Sequence, residues 1–279
     1  MCGIAGIYSF KENVKPDNIK KMTDFLRHRG PDDEGFLGVN FESKKVYPLM
    51  GKESRAEGPS IDDFDQPVNL LIGHRRLSIL DLSAAGHQPM GNEDGSLWIV
   101  HNGEIYNYIE IRKELERLGH SLQSKTDTEV ILHAYEEWGT DCLNHFNGMW
   151  AFAIIDLKKN RIFCARDRGG EKPFYYFFDG KRFSFASELK ALLQIDGWIA
   201  EPNEQIVADY LLLGLQDHTP ETFFKNIYQL RPAEYLLLEA DRIRIQSYWD
   251  IEDKAIHFTH ESEYTERFKE LLEDAIRIR

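Results

Sequence analysis

Four apolar stretches crowded between residues 149 and 187 constrain the fold more than any other part of this chain: MWAFAIID, RIFCAR, KPFYYFF and RFSFAS, with turn formers between them. Short runs rich in β-branched and aromatic residues, separated by turns, read as successive strands. Two more strands, EYLLLEA and RIRIQSYW, follow near 234–249, after a helical stretch around 208–213. Nearer the start, residues 2–10 read as a strand with glycines where a side chain would obstruct, and LLIGHRRLSILDLS (70–83) as a strand running into a loop. Another strand covers 96–101. A short helix is expected over 17–26 after Pro16, with Ile19, Met22 and Leu26 on one face. In the next helix Tyr108, Ile111, Leu115 and Leu118 share a face, and Gly119 ends it. Thr126-x-x-Glu129 reads as a capping box opening a further helix, with Val130, Ala134 and Trp138 inward and Gly139 at its end. HRGPDDEG (28–35) reads as a loop and 51–69 as a mobile polar surface insertion. Strands, then two helices, then strands again favour a layered α+β fold over alternating βαβ units.

Composition narrows the function. The 279 residues are 42% apolar and 29% charged, which excludes collagen-like, low-complexity and wholly disordered chains. With 34 Lys and Arg against 47 Asp and Glu, the net charge of −13 argues against a nucleic-acid platform, though not against a small charged substrate held in a local pocket. Cys2, Cys142 and Cys164 form no C-x-x-C pair, so free thiols in a cytoplasmic protein are the simplest expectation. No apolar run approaches the roughly 20 residues that span a bilayer, and MCGIAGIYSF lacks the basic leader and cleavage region of a signal peptide. His28, His74, His87 and His101 are scattered outside any HExxH-like pattern, and no phosphate-binding P-loop occurs; neither a metal nor another cofactor is expected in this chain.

Three features carry chemistry. If Met1 is removed, Cys2 holds a thiol and a free α-amine on one residue, a nucleophile with its own base; the bland alternative is a small buried hydrophobe. In HNGEIYN (101–107), which follows a strand, the Asn102 side chain and the Gly103 backbone N–H would stabilise the oxyanion formed when a thiolate attacks an amide; the alternative is an Asn-Gly β-turn. Arg76 could clamp an amino-acid carboxylate, with Asp127 and Glu104 receiving its ammonium. The competing reading is a surface arginine and an acid complementing a helix N-terminus. RDRGGEKPFYY (166–176) could face a docking domain or a phosphate, or be a charged hairpin loop.

Taken in order, CGIAG, RHRGPDDEG, HRRLSILDLS, HNGEIYNY, TDTEVILHAY, MWAFAIID, RDRGGEKPFYY and FASELKALL resemble the glutaminase half of glutamine-dependent asparagine synthetases, a class II glutamine amidotransferase within the N-terminal nucleophile hydrolases. The resemblance covers nearly the whole chain. It implies a four-layer αββα sandwich over 2–250 in which Cys2 attacks the side-chain amide of L-glutamine, releasing ammonia and leaving a glutamyl thioester for hydrolysis. By motif, Asn102 and Gly103 become the oxyanion hole, Arg76 binds the substrate carboxylate, Glu104 and Asp127 hold the ammonium, and Leu77 and Ile79 lie near the pocket. One departure is Gly169, where the family usually has a bulky apolar residue, which puts local packing in question.

The last segment, 258–279, carries Phe268, Leu271, Leu272 and Ile276 as a stripe on a charged helix. The resemblance makes it the first helix of a truncated synthetase domain; docking on the chain's own core is the alternative. ATP and Mg are expected only for that missing half, and a homodimer stays open. Against this reading stand a catalytically silent interaction module, an amidotransferase feeding another acceptor such as a sugar phosphate, and a Cys–His hydrolase, which no histidine spacing supports.

Overall fold

The computed structural model describes residues 1–253 and 256–279. Its strands form two sheets. One has the order Ile227–Gln229, Tyr175–Phe178, Arg182–Ala186, Gly3–Ser9, Leu70–Arg76, Asp33–Asn40, Lys45–Met50. The other has the order Arg242–Ser247, Glu234–Glu239, Arg161–Arg166, Gly148–Asp156, Leu97–Ile105, Met90–Gly91. Every neighbouring pair in both is antiparallel.

Side-chain alternation shows why the central strands are apolar on both faces. Successive residues of a strand point to opposite faces. Ile4, Leu37, Ile72 and Phe185 of the first sheet meet Val100, Ala151, Ala153 and Leu236 of the second in a shared core. Their neighbours Ala5, Phe36 and Leu71 turn the other way, onto Ile19 and Met22 of the helix Pro16–Asp24 and Leu192 of the helix Leu189–Leu192. On the far side of the second sheet, Ile99, Phe152 and Phe163 pack with Ile111 and Leu115 of the helix Tyr108–Arg117 and with Val130, Ala134 and Tyr135 of the helix Asp127–Trp138. The layers are therefore helix, sheet, sheet, helix, as the resemblance implies.

Several local expectations change. The strand read as 96–101 runs on to Ile105, so Asn102 and Gly103 lie inside it and not in a turn. A Cβ on Gly103 would come within 2.2 Å of the Met149 carbonyl oxygen; glycine is needed there for close approach of the paired strand. Leu118 is 51% exposed, because it caps its helix instead of continuing the buried face. Trp138 is only half-buried and stacks on His145 at 3.8 Å between ring centroids. The Thr126 hydroxyl does accept the Glu129 N–H (3.2 Å), but the Glu129 carboxylate turns to the amides of Gln123 and Ser124, so the cap works from one side.

Residues 51–69 are stitched down and do not form a loose insertion. Glu53 accepts from Arg75 at 2.6 Å, the Arg55 amide donates to Asp33 at 2.8 Å, and Ile61 is buried. Gly169 sits on an exposed turn where an added Cβ would meet nothing closer than 3.6 Å, so its small size raises no packing problem. In the terminal helix Glu261–Arg277, Phe268, Leu271, Leu272 and Ile276 stay exposed, so its apolar stripe is not docked on the core. No helix of the described residues is long and apolar enough to cross a membrane.

Candidate active site

One cleft of about 190 Å³ is lined by all eight residues singled out from the sequence: Cys2, Arg76, Leu77, Ile79, Asn102, Gly103, Glu104 and Asp127. They arrive from four places. Cys2 immediately precedes the strand Gly3–Ser9, Arg76 ends its neighbour, Asn102 to Glu104 belong to the strand Leu97–Ile105, and Asp127 opens a helix. Paired strands fix the first two: Gly3 lies opposite Arg75 in the ladder.

Cys2 is held by backbone. Its Sγ accepts the Leu77 N–H at 3.4 Å and lies 3.7 Å from the Leu77 carbonyl. Burial pushes the thiol up, while the Leu77 amide, the N-terminal ammonium and Arg76 pull it down. Burial also lowers the N-terminal amine, with Arg29 and Lys172 adding to the effect and Glu104 opposing it. That amine belongs here to Met1, one residue ahead of the α-nitrogen of Cys2. Arg29 donates to the Cys2 carbonyl (2.9 Å) and to Glu188 (3.0 Å), which pins the start of the strand.

The strand geometry also presents donors. Trp150, directly opposite Gly103, commits its amide to the Asp167 carboxylate (3.2 Å) and its carbonyl to the Asp167 amide (2.8 Å). Antiparallel pairs alternate between bonded and non-bonded partners. Gly103 is thus in a non-bonded pair, and its N–H points away from Trp150, on the side where the His101 amide donates to Gln88 (2.7 Å). Beside it, Asn102 is wholly buried, yet among the described residues neither its Nδ2 nor its Oδ1 has a hydrogen-bond partner. Leaving such a group unpaired costs about 1–3 kcal/mol, so an orphaned amide in a cleft asks for a ligand.

Charge of both signs lines the cleft. Arg76 gives its Nη1 to the Ser83 carbonyl (3.2 Å) and its Nη2 to those of Leu80 (3.0 Å) and Asp81 (2.5 Å), which folds the loop after the strand around the guanidinium. Gly86 permits this, since a Cβ there would lie 2.0 Å from Nη2. The Nε–H and one Nη1–H remain outside these bonds. Asp127 accepts the Ile105 amide (2.8 Å), and burial raises its carboxyl to about 6 against the pull of backbone N–H groups and Arg76. Ile79 lines the rim, 58% exposed.

Some wall residues escaped the sequence reading. Lys172 is buried in the cleft, and Arg166 and Asp167 of the same stretch are buried too, while Gly169 and Glu171 stay exposed on its turn. There Arg166 donates to the carbonyls of Leu230 (2.6 Å) and Gly170 (2.6 Å). Gln88 and His101 also line the wall. Burial lowers His101 to about 3 and keeps it neutral, which makes it a poor base; among the described residues Cys2 Sγ hydrogen-bonds the Leu77 backbone and no imidazole. Only closure of the two sheets brings these distant segments together, so no local pattern announces them.

A family model described as a glutamine amidotransferase domain matches residues 1–46 and 35–249. Among curated proteins, the chain is 40% identical over its whole length to a putative glutamine-hydrolyzing asparagine synthetase 2 of Methanocaldococcus jannaschii, of which it covers 52%. It is 35% identical over 99% of its length to glutamine-hydrolyzing asparagine synthetase 3 of Bacillus subtilis, covering 41% of it. The chain thus spans about half the length, or less, of these relatives. Among solved structures, a glutamine phosphoribosylpyrophosphate amidotransferase of B. subtilis superimposes with a TM-score of 0.65 at 20% identity over 89% of this chain and 49% of the other. That likeness concerns the fold.

Proposed function

The chain belongs to the glutamine amidotransferase domain family, and from that premise we propose that it hydrolyses L-glutamine to glutamate and ammonia at Cys2. The observation that carries this is the orphaned, buried Asn102 amide in the cleft that also holds Cys2 Sγ.

Once Met1 is removed, the Cys2 α-amine takes the thiol proton, and the thiolate attacks the carbon of the substrate's side-chain amide. An oxyanion forms. Asn102 Nδ2–H and the Gly103 N–H stabilise it, donors set in place before the charge appears. The ammonium of Cys2 returns its proton to the leaving nitrogen, and ammonia departs. A thioester to Cys2 remains; water, deprotonated by the same amine, hydrolyses it. Arg76 pairs with the α-carboxylate through the donors its loop leaves free. Asp127 and Glu104 face the α-ammonium, while Leu77 and Ile79 border the substrate's path.

Asn102→Ala is expected to lower kcat by about 10²- to 10³-fold, the usual effect of removing one oxyanion donor, with KM little changed. A glutamate-release assay at saturating glutamine measures it. Asp127 sets an acid limb. Above about pH 6 its carboxylate pairs with the ammonium; below, it is protonated in the free enzyme and cannot. We expect kcat/KM, which reports free-enzyme ionisations, to fall about tenfold per pH unit below that value. Asp127→Asn should lose this limb and reduce kcat/KM at pH 8 by roughly 10- to 100-fold, the effect of about 1.5–3 kcal/mol for a charged hydrogen bond.

The relatives' names, glutamine-hydrolyzing asparagine synthetases, support a further step in which the ammonia goes to asparagine formation; we propose in addition that the receiving unit is ATP- and Mg-dependent, acts on aspartate and works in the cytoplasm. The helix Glu261–Arg277 would be the first element of that unit, and its exposed stripe of Phe268, Leu271, Leu272 and Ile276 is the face such a unit would cover. Joining the chain to that unit and assaying glutamine-dependent asparagine formation tests this step.

A further inference from the structure

Away from the cleft, on the outer helix layer, two imidazoles meet nitrogen to nitrogen. His120 follows the helix Tyr108–Arg117 and its connecting turn, and His133 stands on the helix Asp127–Trp138. Their Nδ1 atoms are 3.1 Å apart. Each ring's other nitrogen faces a carboxylate: His120 Nε2 lies 3.0 Å from Glu137, and His133 Nε2 lies 3.6 Å from Glu93. A carboxylate favours the tautomer that donates to it. His120 therefore carries its hydrogen on Nε2 and presents a lone pair at Nδ1, whereas His133 has a carboxylate nearer its Nδ1 than its Nε2, so its Nδ1 donates to Glu136 unless a cation takes that hydrogen's place.

A third electron-rich atom joins them. Glu136 Oε2 is 3.1 Å from His133 Nδ1 and 3.9 Å from His120 Nδ1, while Asn92 donates to the other Glu136 oxygen at 2.7 Å and orients the group. His120 Nδ1, His133 Nδ1 and Glu136 Oε2 thus converge on one point, which holds either the His133 hydrogen or, once that is displaced, a cation. Zinc bonds nitrogen and oxygen ligands at 2.0–2.1 Å in a tetrahedron. That geometry separates ligand atoms by about 3.4 Å, and the observed distances bracket this value.

We propose that His120, His133 and Glu136 form a binding site for a divalent transition-metal ion of the zinc class. Glu137, Glu93 and Asn92 orient the ligands, as outer carboxylates and amides do around metal-bound histidines. The His120 and Glu136 side chains keep 16% and 26% of their surface open, leaving room for a water as fourth ligand. Two imidazole nitrogens disfavour magnesium and calcium, which take oxygen ligands. The ion clips the turn at His120 onto the helix that opens with Asp127. Its role is to stiffen that helix, and glutamine chemistry does not pass through it.

The test uses the full chain without a histidine tag, stripped with chelator, in a Cys2→Ala background so that the N-terminal aminothiol binds no metal. Zn²⁺ titration by calorimetry should show one equivalent per chain and a rise in Tm on loading. His120→Ala should weaken binding at least tenfold, a loss seen even for outer-sphere partners; Glu136→Gln, nearly isosteric and able to keep its contact with Asn92, should do the same. Millimolar Mg²⁺ should not displace the zinc. Absence of saturable Zn²⁺ binding would leave a shared proton between the rings as the explanation and overturn the proposal. So would unchanged affinity in both variants.

Discussion

Cys2→Ala abolishes glutamate release, with a loss of at least about 10³-fold, and leaves the protein folded. The size follows from removing the group that forms the covalent bond: what remains is the binding and oxyanion stabilisation that survive when a nucleophile is deleted. No other thiol can substitute. Cys142 and Cys164 are fully buried, and burial pushes both thiols far up, so neither offers a thiolate. The fold tolerates the change because Cys2 Sγ touches the protein through the Leu77 backbone, while the strand Gly3–Ser9 is held on both sides by main-chain ladders. Glutamate release by the variant at the parent rate, alongside an unchanged Tm, would refute the role of Cys2.

Retention of residues ahead of Cys2 silences the protein almost as thoroughly. A peptide nitrogen is no base, so acylating the Cys2 nitrogen removes the proton acceptor. A positioned general base is worth about 10²- to 10⁴-fold, and that is the loss expected. The protein with Met1 in place shows the problem directly. Its terminal amine belongs to Met1, one residue ahead of Cys2, whose own nitrogen is then a peptide nitrogen. Intact mass gives the fraction of chains that begin at Cys2, and glutaminase activity should track that fraction. Full activity in a preparation carrying an uncleaved N-terminal extension would contradict the prediction.

The central strands and flanking helices were legible because apolar runs survive burial on both faces: Ile99, Phe152 and Phe163 face the helices while Val100, Ala151 and Ala153 face the other sheet; the edge pair Asp33–Asn40 and Lys45–Met50 was not, since its first residues, Asp33 to Gly35, read as part of a loop of turn formers. Cys2, Arg76, Asn102 and Asp127 could be named because opposite charges and a nucleophile with nearby donors suit one amino-acid substrate. Asn-Gly misled locally. As a dipeptide it favours a turn, and only the approach of Met149 across the ladder shows why Gly103 sits in a strand. Lys172, Gln88 and Arg29 were missed for a different reason: each reaches the site or its anchor from a segment whose own pattern is that of an ordinary loop. Residues 51–69 read as loose because they are polar, yet those polar groups are what tie them to Arg75 and Asp33.

Covalent chemistry rests on a single sulfur at the mature N-terminus. Alkylation by a diazoketone analogue of L-glutamine, mapped by peptide mass spectrometry, tests that placement directly. One adduct is predicted, on the peptide that begins with Cys2, blocked by excess glutamine and absent from chains that keep Met1. Labelling at Cys142, Cys164 or a histidine, or equal labelling of chains that retain Met1, would contradict it.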